Sequence, residues 1–78
     1  MNNNNNEKQF FLDLFDRFGF LLTQSQKQVF LLYFQQNLTI AEIAKVITSS
    51  RALVFDTLKK TKAKLIKLQE KQTKNKEL

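Results

Sequence analysis

Apolar residues recur along this chain at helical spacing. Phe10, Phe11, Leu14, Phe15 and Phe18 follow at intervals of one, three and four, with Asp13, Asp16 and Arg17 on the other side. This stripe predicts a first helix beginning at Glu7, and Gly19 directly after it predicts a left-handed C-cap. The preceding Asn2–Asn6 run has nothing to bury, so residues 1–6 read as a disordered Asn-rich tail. Thr23 opens a second helix, with Gln26 three residues on completing a capping box. Its predicted buried stripe is Val29, Phe30, Leu32 and Tyr33, with Leu31 and Phe34 partly exposed and Asn37 as the stop.

Two shorter signals follow. Thr39-Ile40-Ala41-Glu42 has the spacing of a reciprocal capping box and opens a short helix with Ile40, Ile43, Ala44 and Ile47 apolar. That helix ends near Ile47-Thr48-Ser49, and Ser49 or Ser50 caps a fourth helix starting at Arg51. The fourth helix carries Val54, Leu58, Thr61, Leu65 and Leu68 at alternating spacings of four and three. Beyond Gln69 the apolar signal vanishes and the chain is expected to fray, leaving a helical domain over 7–72 and a flexible basic tail over 73–78. A short capped helix, a tight turn and a second capped helix is the pattern of a helix-turn-helix, placed here at 39–60, and Ala44 allows its two helices to cross closely. The fold class expected is all-α, with four helices and an extended last helix.

Composition narrows the chemistry. The 78 residues include no Cys and no His, which removes disulfides, the usual metal ligands and the usual general base. One Gly and no Pro leave little for phosphate-cradling loops or β-rich turns. No paired-carboxylate or nucleophile–base site stands out, so catalysis, cofactors and metals are not expected. The start of the chain lacks the basic and apolar regions of a signal peptide, and the longest apolar run, Val29–Phe34, is far too short to span a bilayer. These features point to a cytoplasmic protein without membrane insertion.

Charge then supplies a direction. The first fifty residues balance Lys8, Arg17, Lys27 and Lys45 against Glu7, Asp13, Asp16 and Glu42, so the whole net charge of +6 lies in residues 51–78. Such polarity suits a polyanion. Eleven of the thirteen basic residues are Lys, however, and the chain is also rich in Asn and Phe, a bias that an AT-rich genome imposes whatever the function.

The residues also resemble a known family. Leu38-Thr39-Ile40-Ala41-Glu42-Ile43-Ala44, then Ser50-Arg51 and Val54, resemble the helix-turn-helix of sigma-factor region 4. With Leu22-Thr23, Gln26, Leu32-Tyr33, Asp56 and Lys59 added, order and spacing are similar to the YlxM-type small bacterial proteins from about Phe10 to Lys71. That resemblance implies a sigma-like regulatory domain associated with the signal recognition particle pathway. It also places Thr48 where the family's turn has Gly, a position of positive φ, Ser49 where it has an apolar residue, and Gln24 where it has Pro.

On this reading the fourth helix is the binding element. Arg51, Ala52, Phe55, Asp56 and Lys59 are its groove-facing positions by register, and Arg51 opposes the helix dipole, a cost that a phosphate or guanine would offset. The candidate nucleic-acid contacts are Ser50, Arg51, Phe55, Lys59, Lys60, Lys62, Lys64 and Lys67, the lysines forming a phosphate-tracking series for duplex DNA or structured RNA. The alternative is a protein-interaction adaptor using the same face. Leu65, Ile66 and Leu68 are expected to reach past the compact part of the domain, which raises a homodimer through the last helix.

Overall fold

A computed structural model of the protein describes the backbone of residues 3–77 and the side chains of residues 7–71. Four helices occur in the expected order: α1 (Asn3–Phe18), α2 (Gln24–Phe34), α3 (Ile40–Val46) and α4 (Arg51–Glu77), with a 3₁₀ turn over Gly19–Leu21. Among the described residues there is no strand. α4 packs against each of the other three helices and is the spine of the fold. Its 27 residues, at about 1.5 Å each, account for most of the 45 Å long axis of the molecule.

Local signals explain the helix starts. Thr23 Oγ1 accepts from the Gln26 amide and Gln26 Oε1 accepts from the Thr23 amide, at 3.2 and 3.0 Å. Thr39 and Glu42 repeat the exchange at 3.1 and 2.8 Å. Ser50, rather than Ser49, caps α4, its hydroxyl accepting from the Leu53 amide at 3.1 Å. Each cap satisfies donors that a helix start leaves without intrahelical partners.

Helix ends depart more from expectation. Gly19 does not adopt a left-handed conformation; it begins the 3₁₀ turn, closed by the Leu22 amide donating to the Gly19 carbonyl at 3.0 Å. Space favours glycine there, since a Cβ would crowd the Phe15 ring at 3.2 Å and the ring would have to give by a few tenths of an ångström. Helix also extends past both limits of the expected 7–72 domain, from Asn3 into α1 and to Glu77 at the end of α4. Once a packed turn nucleates a helix, each added residue gains a hydrogen bond, and neither segment contains Gly or Pro to stop it. The rest of the expected tails, Met1, Asn2 and Leu78, lies outside the described residues.

The core is one cluster built from every helix: Phe11, Leu14 and Phe18 of α1; Val29, Phe30 and Phe34 of α2; Ile43 and Ala44 of α3; Val54, Leu58 and Leu65 of α4; and Leu22. Phe34 is buried rather than partly exposed because its ring packs on both Phe30 and Phe11, with centroids 4.6 and 5.5 Å away. Phe10, by contrast, is exposed. Thr61 is fully buried in the apolar stripe, and its hydroxyl donates to the Thr57 carbonyl at 2.7 Å, so this buried polar group is not stranded. Leu65 is also fully buried and Leu68 packs on the core, leaving Ile66 alone of that trio at the surface. Of the patch that suggested a homodimer, Leu65 is thus covered by the chain's own helices, Leu68 partly so, and Ile66 stays exposed.

The α3–α4 turn stores strain. Thr48 in this turn has φ 55°, and Asn37, in the connection between α2 and α3, has φ 62°, both left-handed. Asn tolerates that region; a β-branched residue does so at a cost of about 1–2 kcal/mol. The strain persists because the turn is a complete Schellman motif. The Ser49 amide donates to the Ala44 carbonyl at 2.8 Å, and the Thr48 amide to the Lys45 carbonyl at 3.3 Å. Thr48→Gly is expected to raise stability by about 1 kcal/mol, the relieved strain exceeding the extra backbone entropy of Gly, and to raise the thermal midpoint by about 4–8 °C. A midpoint that stays put or falls in a thermal melt would show that the turn is not strained by Thr48.

Candidate nucleic-acid interface

Burial decides what α4 can present. Val54 and Leu58 face inward against α3, as do Ile43 and Ala44 from the other side. That anchors the first turns of α4 and leaves Arg51, Ala52, Phe55, Asp56 and Lys59 exposed, the set that register assigned to the outer face. The four-residue turn from Ile47 to Ser50 separates α3 from α4 as two distinct helices. Ser50 lies at the start of this surface with its hydroxyl committed to the cap.

The surface is mixed in character. Asp56 pairs with Lys60 at 3.1 Å in the i,i+4 register, both side chains remaining largely exposed, so the pair adds little to stability but masks the one carboxylate on this face. Phe55 is 57% exposed, Leu53 55% and, at the end of α3, Val46 58%.

The lysines do not form a single row. At about 100° per residue, Lys59 and Lys62 fall on one flank of α4, while Lys60, Lys64 and Lys67 fall on the other. Lys62 turns toward α1: its Nζ lies 3.3 Å from a Glu7 carboxylate oxygen, with the Phe11 and Phe34 ring centroids at 5.3 and 5.9 Å. Lys64 reaches the opposite way and donates to the Leu21 carbonyl at 2.9 Å. Both therefore help fasten α4 to the rest of the fold. Lys59 and Lys67 have no hydrogen bond or ion pair among the described residues.

Beside Phe55 lies a groove of about 330 Å³ lined by Tyr33, Ile40, Phe55, Leu58, Lys59 and Lys62. Tyr33 was expected in the buried stripe of α2. It is only half-buried, because Phe34 takes the inward position and Tyr33 stands edge-on to it with ring centroids 5.0 Å apart. Spacing could not separate two adjacent aromatics at the end of a short helix; only the packing of Phe34 against Phe11 and Phe30 does so. Among the described residues no cluster of acidic, His or Cys side chains is suited to a metal, and no helix is long and apolar enough to cross a membrane.

Two capped helices crossing at a small buried residue, joined by a Schellman turn, with the second helix exposing a polar and basic flank, define an all-α helix-turn-helix protein. Comparison with known proteins gives the family. The sequence profile described as "Putative helix-turn-helix protein, YlxM / p13 like" (UPF0122) matches residues 5–78, and the chain belongs to this family. Similar relatives include UPF0122 proteins of Clostridium novyi (40% identical over 68 residues, covering 83% of this chain and 59% of the relative) and Bacillus cereus strain AH187 (41% over 58 residues, 74% and 53%). Another, from Clostridium kluyveri, is 40% identical over 58 residues, covering 74% of this chain and 52% of the relative. The chain thus spans between about half and three-fifths of the length of these relatives. No solved structure matches.

Proposed function

We propose that this protein is a non-enzymatic, cytoplasmic regulatory protein that binds nucleic acid through the start of α4 and its exposed lysines. Its proposed setting is the signal recognition particle pathway, the association that the family resemblance implies. The observation that carries the reading is the exposed row Arg51, Phe55 and Lys59, held rigid by Val54 and Leu58 beneath it. Arg51 stands in the first turn of α4, where no acidic residue accompanies it, and a phosphate would offset its unfavourable position against the helix dipole. Lys60 and Lys67 extend positive charge along one flank. Lys62 and Lys64 contribute to the field mainly from their intramolecular seats.

Gel-shift titrations with the signal recognition particle RNA and with random duplex DNA, at about 50 mM and about 200 mM salt, test this. The expected result is binding that weakens steeply as salt rises. Arg51→Ala should weaken it and reduce the slope of log K against log salt by about 0.9 on duplex DNA. Absence of binding to either polymer at low salt would reject the reading.

A second reading, docking to a protein partner, is favoured by the exposure of Val46, Leu53 and Phe55 around the same turn. An apolar interface would be nearly indifferent to salt, which separates the two.

A further inference from the structure

We infer that the groove between Tyr33 and Phe55 seats an unpaired base of a single-stranded nucleic acid. This inference rests on the proposed nucleic-acid function and names the form of polymer that the site takes. Phe55 is fixed on α4 one position past the buried Val54, so its ring projects along the flank and not into the core. A phenyl ring cannot hydrogen-bond to the base edges of a duplex, but it can stack on a base that has left its partner. Tyr33 supplies a second aromatic side chain to the same groove, and Ile40 and Leu58 complete an apolar lining.

The charges complement a polynucleotide backbone. Lys59 and Lys62 line the groove. Lys59 is free of intramolecular partners among the described residues. An adjoining depression of about 500 Å³ shares Tyr33 and Ile40 with the groove and adds Lys8, Asn37 and Thr39, with Lys8 donating to Asn37 Oδ1 at 3.0 Å. A strand crossing both would meet ammonium groups from Lys59, Lys62 and Lys8 along its path. The acidic groups nearby are already engaged: Glu7 with Lys62, Asp56 with Lys60, and Glu42 with the Thr39 amide. Aromatic faces flanked by cations along a track are the elements that bind single strands with little sequence preference.

Tyr33 is the only tyrosine and there is no tryptophan, so the tyrosine emission of the protein reports on this groove and the depression that adjoins it. The test is a titration of the intact chain with an end-labelled uridine oligonucleotide of about ten nucleotides, followed by anisotropy and by Tyr33 emission, with a duplex of the same length alongside. Binding to the single strand, loss of Tyr33 emission with the same midpoint, and a rise in the single-strand Kd of about tenfold in Phe55→Ala would support the groove. Phe55 is exposed, so a thermal melt should show the variant folded as the parent is. Two outcomes would show that the strand binds elsewhere, leaving nucleic-acid binding intact: single-strand binding with Tyr33 emission unchanged, or equal affinity in Phe55→Ala. Duplex binding without single-strand binding would likewise overturn the groove alone. Failure of every polymer to bind would remove the groove and the function together.

Discussion

Phe30→Ala is expected to lower the unfolding free energy by about 3–5 kcal/mol. Phe30 has no exposed surface, stacks on Phe15 with centroids 4.7 Å apart and planes 11° apart, and tilts against Phe34 at 4.6 Å. Truncation therefore leaves a void and strands two rings whose alignment depends on the third. A chain of 78 residues has only about 4–12 kcal/mol of stability in total, at roughly 0.05–0.15 per residue, so the variant should be much less stable or largely unfolded at ambient temperature. Phe30→Leu keeps much of the volume and should recover a good part of the loss. Urea unfolding followed by circular dichroism measures both, and a Phe30→Ala cost below about 1 kcal/mol would contradict this account of the core.

Ala44→Leu should harm stability and binding together. Ala44 is buried in the same cluster as Val54 and Leu58 and supplies the carbonyl of the Schellman turn. Three added carbons at this crossing force α3 and α4 apart, at a cost of about 1–3 kcal/mol. They also shift Arg51 and Lys59 relative to the rest of the fold. Ala44→Gly is the informative partner: it costs about 1 kcal/mol through helix propensity while leaving the crossing as close as before. Nucleic-acid affinity, measured where both variants are folded, should fall in Ala44→Leu and hold in Ala44→Gly. Equal affinities would mean that the α3–α4 angle is irrelevant to the interface.

These two substitutions also separate what could be read from the chain and what could not. The burial of Val29, Phe30, Ile43, Val54 and Leu58 follows from their spacing, because a helix repeats every 3.6 residues and a stripe at that period has one face. The capping boxes at Thr23 and Thr39 are equally local, since a side chain and the amide three residues on meet within one turn. Thr48 in the left-handed region, implied by the family resemblance, is likewise a matter of one turn's backbone. Arg51, Phe55 and Lys59 reach the surface for the same reason that Val54 does not.

Contacts between helices lie beyond any such periodicity. Gly19 serves the approach of the Phe15 ring and not a left-handed cap, a role decided by where that side chain lies. Phe34 displaces Tyr33 from the interior because Phe11 of α1 and Phe30 both lie against it, which leaves Tyr33 to line a groove with Phe55. The lysine series looked continuous along the chain, yet Glu7 draws Lys62 to one side and the Leu21 carbonyl draws Lys64 to the other. From the chain alone came the four helices, their inward stripes and the helix-turn-helix; only the tertiary structure could choose which aromatics meet and which cations stay free, because those outcomes depend on residues tens of positions apart.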